Sequence, residues 1–417
     1  MRCFSIDKLH LLQDKAFVKK ISDALFFVAL TIELAIVLID KSSVVNSYEG
    51  RLFQITFILF FAKFLLTKYD YKEYLITLVY LILAGLVYYF GKQNFLIRAV
   101  IFVASCKDIN MQKYLRYAFW FTAIGCIAIA VLSCFGIGGD LTILKEYPGE
   151  VFERRYCFGM GNANSFHTMF FACCLLGIYV YKDRMRTWIV GCLILADIGL
   201  FMLTDSRTSF AITLISLLLI LFTAKYLEKP LAGKVQTLFG KIFGLGCIVI
   251  SALALCFSVW CAYMAKYVGW WLHYEPGAVQ WVDRPQYLVD LDRILTGRIR
   301  CLVETNPYKG AIESWTIFPD SLNKDTYFDM GIIRVFYWYG ILAAIAIIVV
   351  VSVLIMYFYK KRLYTELAFV TIIIVYTVVE AHFVSNYIGR NYILFMLGMY
   401  LPKLFAQTKN KDEIAQG

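Results

Sequence analysis

Apolar runs of roughly 15 to 25 residues recur from one end of this chain to the other, broken by short polar segments; runs of that length are what membrane-crossing helices need. They predict twelve spans, at 23–39, 51–66, 74–90, 94–105, 114–134, 163–181, 187–203, 208–223, 240–264, 331–358, 364–380 and 391–405, of which the fourth is the shortest. Residues 1–22 are polar and basic and lead straight into further spans, so no cleavable signal is expected. The pattern changes character once, at 265–330, where a long polar loop separates spans nine and ten.

Composition agrees with an all-α polytopic membrane protein, since 60% of residues are hydrophobic and only 17% charged. The net charge of +11 is largely a topology signal. More than half of the 41 lysines and arginines fall in the N-terminus, in alternate short loops and in the tail, where positive-inside insertion holds them. This orientation predicts a cytoplasmic N-terminus (1–22), spans one to nine (23–264), a large extracytoplasmic loop (265–330), spans ten to twelve (331–405) and a cytoplasmic tail (406–417). Both termini lie inside, and the basic residues call for no nucleic acid. Most of the twelve cysteines lie in or beside spans, and no CxxC or Cys/His ligand spacing occurs, so no metal is expected. Cys157 and Cys301, both on the outer side, are a candidate disulfide pair.

The loop carries Arg284, Arg293, Arg298, Arg300, Lys309 and Lys324 on the face where insertion gives no reason for cations. It also holds Pro276, Pro285, Pro307 and Pro319 with Trp270, Trp271, Trp281 and Trp315, a mixture that predicts a segment lying on the bilayer surface. Within it, 286–304 reads as an amphipathic helix: Tyr287, Leu288, Leu291, Ile294, Leu295, Ile299 and Leu302 recur at helical spacing, with Asp290, Arg293, Arg300 and Glu304 opposite. Arg298 projects from the apolar side and calls for an anionic partner, a salt bridge within the protein or a snorkelling path, unless Gly297 breaks the helix.

Three more outer sites are unusually polar. ERRYCFGMGNANSF, before span six, brings Arg154, Arg155, Asn162, Asn164 and His167 to the membrane boundary, and its glycines suit a tight turn rather than a nucleotide loop. TDSRTSF, between spans seven and eight, sets Arg207 at the surface, either for a ligand or paired with Asp205 in a capping turn. EAHFVSNYIGRN, before span twelve, groups Glu380, His382, Asn386 and Arg390. Inside the spans stand Glu33, Arg98 and Asp197; Arg98 either snorkels or lines a phosphate path, and Asp197 is expected to hydrogen-bond a neighbouring helix.

These stretches together resemble the bacterial O-antigen and capsule polymerase/ligase superfamily (Wzy and WaaL types), membrane glycosyltransferases grouped with the GT-C class. The likeness rests on RRYCFGMGNANSF, SRTSF, LTGRIRCLVETNPYKG and DTYFDMGIIRVFYWYG, in that order and on one side of the membrane. It implies polymerisation of undecaprenyl-pyrophosphate-linked repeat units on the outer face of the bacterial cytoplasmic membrane, to O-antigen, capsular or exopolysaccharide. Donor and acceptor are both lipid-linked glycans, membrane lipid surrounds the site, a chain-length regulator is a candidate partner, and no cofactor is needed. Arg207 and Arg298 match arginines that engage the pyrophosphate, and Arg154 or Arg155 matches a basic residue ahead of the Gly-Asn turn. Where many relatives have a His-Asn pair after the large loop, this chain has Asp325 or a near neighbour, and the arginine-then-glycine spacing is only approximated, from Arg298 to Gly310. An O-antigen ligase-type transferase and a lipid-linked oligosaccharide flippase are the alternatives.

The chemistry supports these residue types independently. Displacing pyrophosphate from an anomeric carbon builds negative charge on the leaving group, which fixed guanidinium forks stabilise through two phosphate oxygens at once. An acceptor hydroxyl then needs orientation and a general base. The resemblance puts Asp325 first among the candidates, and Glu380 follows because an acid at the end of a span is costly without a purpose, with Asp329, His273, His167 and His382 behind, while Arg300, Tyr327, His382 and Asn386 join the expected binding residues.

Overall fold

The structure, a computed structural model, describes residues 16–147, 151–228, 234–268, 285–303, 310–322 and 327–416. Its α-helices run in chain order as α1 (Ala16–Lys41), α2 (Glu49–Leu65), α3 (Tyr71–Gly91), α4 (Phe95–Ser105) and α5 (Met111–Cys134). A β-hairpin follows, β1 (Thr142–Tyr147) and β2 (Val151–Tyr156). Then come α6 (Ala163–Val180), α7 (Thr187–Thr204), α8 (Arg207–Phe222), α9 (Lys234–Met264), α10 (Gln286–Ile294), α11 (Gly331–Lys361), α12 (Tyr364–Val379) and α13 (Tyr392–Gln416). Local chemistry sets several boundaries. Asp70 and Glu73 form a reciprocal capping box at the start of α3, and Asn110 and Asn162 cap α5 and α6 with their side chains.

A helix stands at each position where the apolar pattern predicts a span. Among the described residues, eight helices are long and apolar enough to cross a membrane: α1, α3, α5, α6, α7, α8 with the π-turn that extends it, α9 and α11. In α6, 72% of the apolar window is buried inside the protein, against 17% in each of α3, α5 and α7. The first is therefore a central helix and the other three are peripheral, turning apolar flanks outward. α12 is buried all round, as its uniformly apolar sequence requires, and packs between α9 and α11.

The hairpin was not marked by the apolar pattern. Leu144 pairs with Arg154 and Ile143 with Arg155, and the two-residue period of a strand sends the neighbouring arginines to opposite faces: Arg154 is exposed and Arg155 is buried.

The loop helix is shorter than the sequence predicts. Helix stops at Ile294, because Thr296 and Gly297 take left-handed backbone at φ 56° and 81°. Asp292 then accepts from the backbone N–H groups of Ile299 and Arg300 at 2.9 and 3.0 Å, fixing the reversal. Leu288, Ile299 and Leu302 are fully buried, while Tyr287 and Ile294, expected on the same apolar face, are exposed.

α11 breaks at Gly340, where φ is 79° and ψ 164°. The segment around Thr316–Ile317 fills the break: its carbonyls accept from the freed N–H groups of Ile341 and Leu342 at 2.9 and 3.3 Å. A Cβ at position 340 would sit 2.6 Å from the Ile317 carbonyl oxygen. Gly340→Ala is accordingly expected to destabilise the fold by about 1–3 kcal/mol, read as a lower midpoint in thermal unfolding of the detergent-solubilised protein.

Candidate functional site

The most polar part of the bundle lies at the end that carries the long loop, around the non-helical segment 380–391 between α12 and α13. Irregular backbone leaves its carbonyls without helical partners, and next to an apolar bundle those groups need donors. Arg98 and Arg334 supply two of them, while Arg298 donates to the last carbonyl of α12 and Arg390 braces the segment through the Ser385 hydroxyl. Arg298, from the turn after α10, donates through Nε to the Val379 carbonyl at 2.5 Å, through Nη1 to Leu295 at 3.0 Å, and through Nη2 to the Glu380 carboxylate. Arg334, in the first turn of α11, donates to the carbonyls of Val384 (3.4 Å) and Phe328, with its guanidinium 4.8 Å from the Trp338 ring centre. Arg390 donates through Nε to the Ser385 hydroxyl at 2.6 Å and through Nη1 to Asp40 at 2.8 Å. Arg98 of α4 donates to the Asn386 carbonyl at 2.8 Å and to Glu33 at 2.7 Å.

His382 sits inside this frame, 7% exposed, and neither ring nitrogen has a hydrogen-bond partner among the described residues. Burial pushes its pKa well down, and the charges of Arg390 and Lys41 push the same way, so the imidazole is neutral. α12 ends at Val379 and leaves Glu380 in extended backbone at its C-terminus. Burial pushes the Glu380 carboxyl up, opposed by the Arg298 guanidinium. Arg298, Arg334, Arg390 and Lys41 stand among the carboxylates Glu380, Asp40, Asp329 and Glu49, so an arriving anion would have to displace a carboxylate from one of these cations.

The predicted residues divide. Arg298, Glu380, His382 and Asn386 come together here, Asn386 through its backbone. Tyr327 lies at the edge, 64% exposed, its ring 5.6 Å from the Arg334 guanidinium. Arg207 is 79% exposed and lies 3.6 Å from Asp205, the pairing foreseen for a capping turn, although no side-chain cap forms at Ser206. Its helix still borders the site: Ser209 bonds Thr168 at 3.1 Å, which bonds Tyr376 at 2.8 Å, one turn before Glu380. Arg300 is exposed on the turn after α10. Asn162 accepts from the Asn164 backbone at 2.9 Å, and Asn164 accepts from Arg155 at 3.4 Å.

Several expectations change. His167 is not at the surface: it is fully buried, with Nε2 2.8 Å from Asp197 and Nδ1 2.9 Å from Thr204, tying α6 to α7. Asp197 makes the interhelical bond expected of it. Arg98 does not snorkel but forms a buried ion pair with Glu33. Cys157 and Cys301 are not bonded to each other: Cys157 is buried and Cys301 exposed. Asp325 and His273, two of the candidate bases, and Glu304 lie outside the described residues. No cluster of metal-ligating side chains occurs among the described residues.

The sequence reading overlooked Arg334, Lys41 and Asp40. Arg334 had a usable signal, a lone cation three residues into a long apolar run, where an unpaired charge is costly. Asp40 and Lys41 looked like ordinary span-end charges. Nothing in the chain order links them to Arg390, 350 positions from Asp40.

No protein-family description, no characterised protein and no solved structure is detectably similar to this chain.

Proposed function

We propose that this protein is a polysaccharide polymerase that joins lipid-pyrophosphate-linked oligosaccharides at the loop end of the bundle, the outer face of a bacterial cytoplasmic membrane. The observation that carries the reading is the convergence of Arg298, Arg334 and Arg390, all at least nine-tenths buried, on one short segment beside Glu380 and His382. In the resting protein Arg298 is held by Glu380. An arriving pyrophosphate would compete for that guanidinium and free the carboxylate to accept a proton from the acceptor hydroxyl. As the anomeric bond breaks, charge grows on the departing pyrophosphate, and the arginine forks stabilise it without reorganising. The direct assay supplies purified protein with a synthetic undecaprenyl-pyrophosphate repeat unit and looks for a ladder of longer products. Lipid unit that crosses the bilayer without elongating would instead identify a flippase.

A flippase is disfavoured by the break in α11. Transporters use such breaks to expose backbone groups to a ligand, whereas the N–H groups of Ile341 and Leu342 are already taken by Thr316 and Ile317.

Two outcomes separate chemistry from packing. Arg207→Ala is expected to abolish elongation while changing stability by less than about 0.5 kcal/mol, because the side chain is largely exposed. A wild-type ladder from this variant removes Arg207 from the site. Glu380 as base is active only when ionised, so the rate falls as pH drops, with a midpoint above the ordinary glutamate range because burial raises its pKa. Glu380→Gln should erase that limb of the profile. A wild-type rate that stays flat through that range excludes Glu380 as the base.

A further inference from the structure

The cations around the 380–391 segment differ in how firmly they are committed. Arg98, Arg298, Arg334 and Arg390 each donate to a carbonyl or hydroxyl of the frame at hydrogen-bond distance. Lys41 does not: its Nζ makes no hydrogen bond among the described residues, and the carboxylate beside it, Asp40, is 3.8 Å away. Asp40 is engaged more closely elsewhere, accepting from Arg390 Nη1 at 2.8 Å. An ammonium carries three donors, and here they are left to water or to an incoming anion.

Position points the same way. α1 lies hard against the segment at Gly389, where a Cβ would sit 2.9 Å from the Glu33 carbonyl oxygen. Lys41 stands about 12 Å farther along α1, at ~1.5 Å per residue, and ends the helix two residues beyond span one. Its side chain is 18% exposed, against 9% for Arg298 and 10% for Arg390, so an anion from outside meets it first. The charged and titratable groups that face it are Asp40 on α1, Glu380, His382 and Arg390 on the segment, and Arg334 on α11. Burial, and then the Arg390 charge, lower its pKa to about 8, with Asp40 and Glu380 opposing.

We infer that Lys41 receives the lipid diphosphate at the mouth of the arginine frame, binding it as an ammonium ion before Arg298 exchanges Glu380 for the same ligand. The inference rests on the polymerase reading and deepens it, adding a binding residue and an order of contacts. Binding through Lys41 needs the proton on Nζ. It is therefore full below about pH 8 and lost as the pH rises through that value.

The test uses the full-length protein in phosphatidylcholine nanodiscs, with geranyl diphosphate as a short, soluble diphosphate ester. Trace acylation of lysines by acetic anhydride, read by peptide mass spectrometry, should give Lys41 a midpoint near pH 8, and saturating geranyl diphosphate should protect it and raise that midpoint. Lys41→Met should bind the ester about tenfold more weakly at neutral pH. Lys41→Arg should bind like wild type at neutral pH and keep its affinity above the midpoint, where wild type loses its own, because a guanidinium stays charged. The titration of the ester itself is common to all three proteins. With the lipid-linked donor, Lys41→Met should raise KM more than it lowers kcat. Unchanged binding by Lys41→Met, a Lys41→Arg protein that loses affinity at the same pH as wild type, or equal protection of Lys41 by phosphatidylglycerol would each overturn the inference. A wild-type protein that binds the ester through Lys41 and makes no ladder refutes only the polymerase, and a Lys41→Met protein that makes a normal ladder at unchanged KM refutes only the role of Lys41.

Discussion

Arg298→Ala is expected to cut elongation by about a hundred- to a thousandfold, the usual consequence of removing one fixed donor from a developing negative charge. The side chain is well placed for that role, since it is buried, aimed at the start of the 380–391 segment and held in one rotamer by four separate acceptors, Val379, Leu295, Thr296 and Glu380. Arg298→Lys should recover only a small part of the rate, because an ammonium cannot grip two phosphate oxygens in one plane. The residue also has a structural duty, and its loss leaves the half-buried Glu380 without its partner, at a cost of about 1–3 kcal/mol. The double variant Arg298→Ala/Glu380→Gln separates the two contributions. It should regain thermal stability and remain unable to extend the glycan. A double variant that elongates like wild type would show that Arg298 only neutralises its neighbour.

Arg98→Met is expected to be the most damaging change away from the site. Glu33 is fully buried in α1, Arg98 is 3% exposed in α4, and Thr56 of α2 adds a hydrogen bond to the carboxylate at 2.5 Å. Breaking such a pair strands a charge inside the bundle and costs about 3–5 kcal/mol, a large share of the roughly 5–15 kcal/mol that holds a domain folded. The variant should melt far below wild type or fail to accumulate in the membrane. Replacing both charges by apolar residues, Glu33→Leu with Arg98→Met, should restore most of the stability. The bond from Arg98 to the Asn386 carbonyl would still be missing, leaving the 380–391 segment easier to cleave with protease. A single variant that melts with wild type refutes this account of the pair.

How much of this was readable in advance follows from the reach of each signal. Helix positions were legible because bilayer-length apolar runs are local, and every predicted span coincides with a helix even where the helix is too short to cross on length alone. Thr296–Gly297 ended the loop helix for a reason visible in the sequence, since glycine was flagged as a breaker. The hairpin at 142–156 was missed because its strands carry charges on both faces and lack the clean alternation that marks a half-buried strand. Of the site, the polar turn at 380–391 was legible as a cluster. The arginines fixing it were harder to see. Arg98 looked like an isolated intrusion into an apolar run and Arg334 was passed over, and both donate to backbone carbonyls of the segment, which no residue pattern announces. His167 was assigned to the membrane boundary with its polar neighbours, although the predicted span, like the helix, begins at 163 and already places it a full turn inside.

The broken helix at Gly340 bears on how this protein is made. Translation delivers the loop before α11, yet the carbonyls of Thr316 and Ile317 find their donors only at Ile341 and Leu342, some 25 residues later. The loop cannot reach its final form until the following helix has been synthesised, inserted and bent. A ribosome-arrested chain ending just before that helix should therefore present 310–322 to protease, and one ending beyond it should protect the same stretch. The kink is a checkpoint in assembly: the outward segment and the helix that anchors it mature together, and the arginine frame behind them closes last.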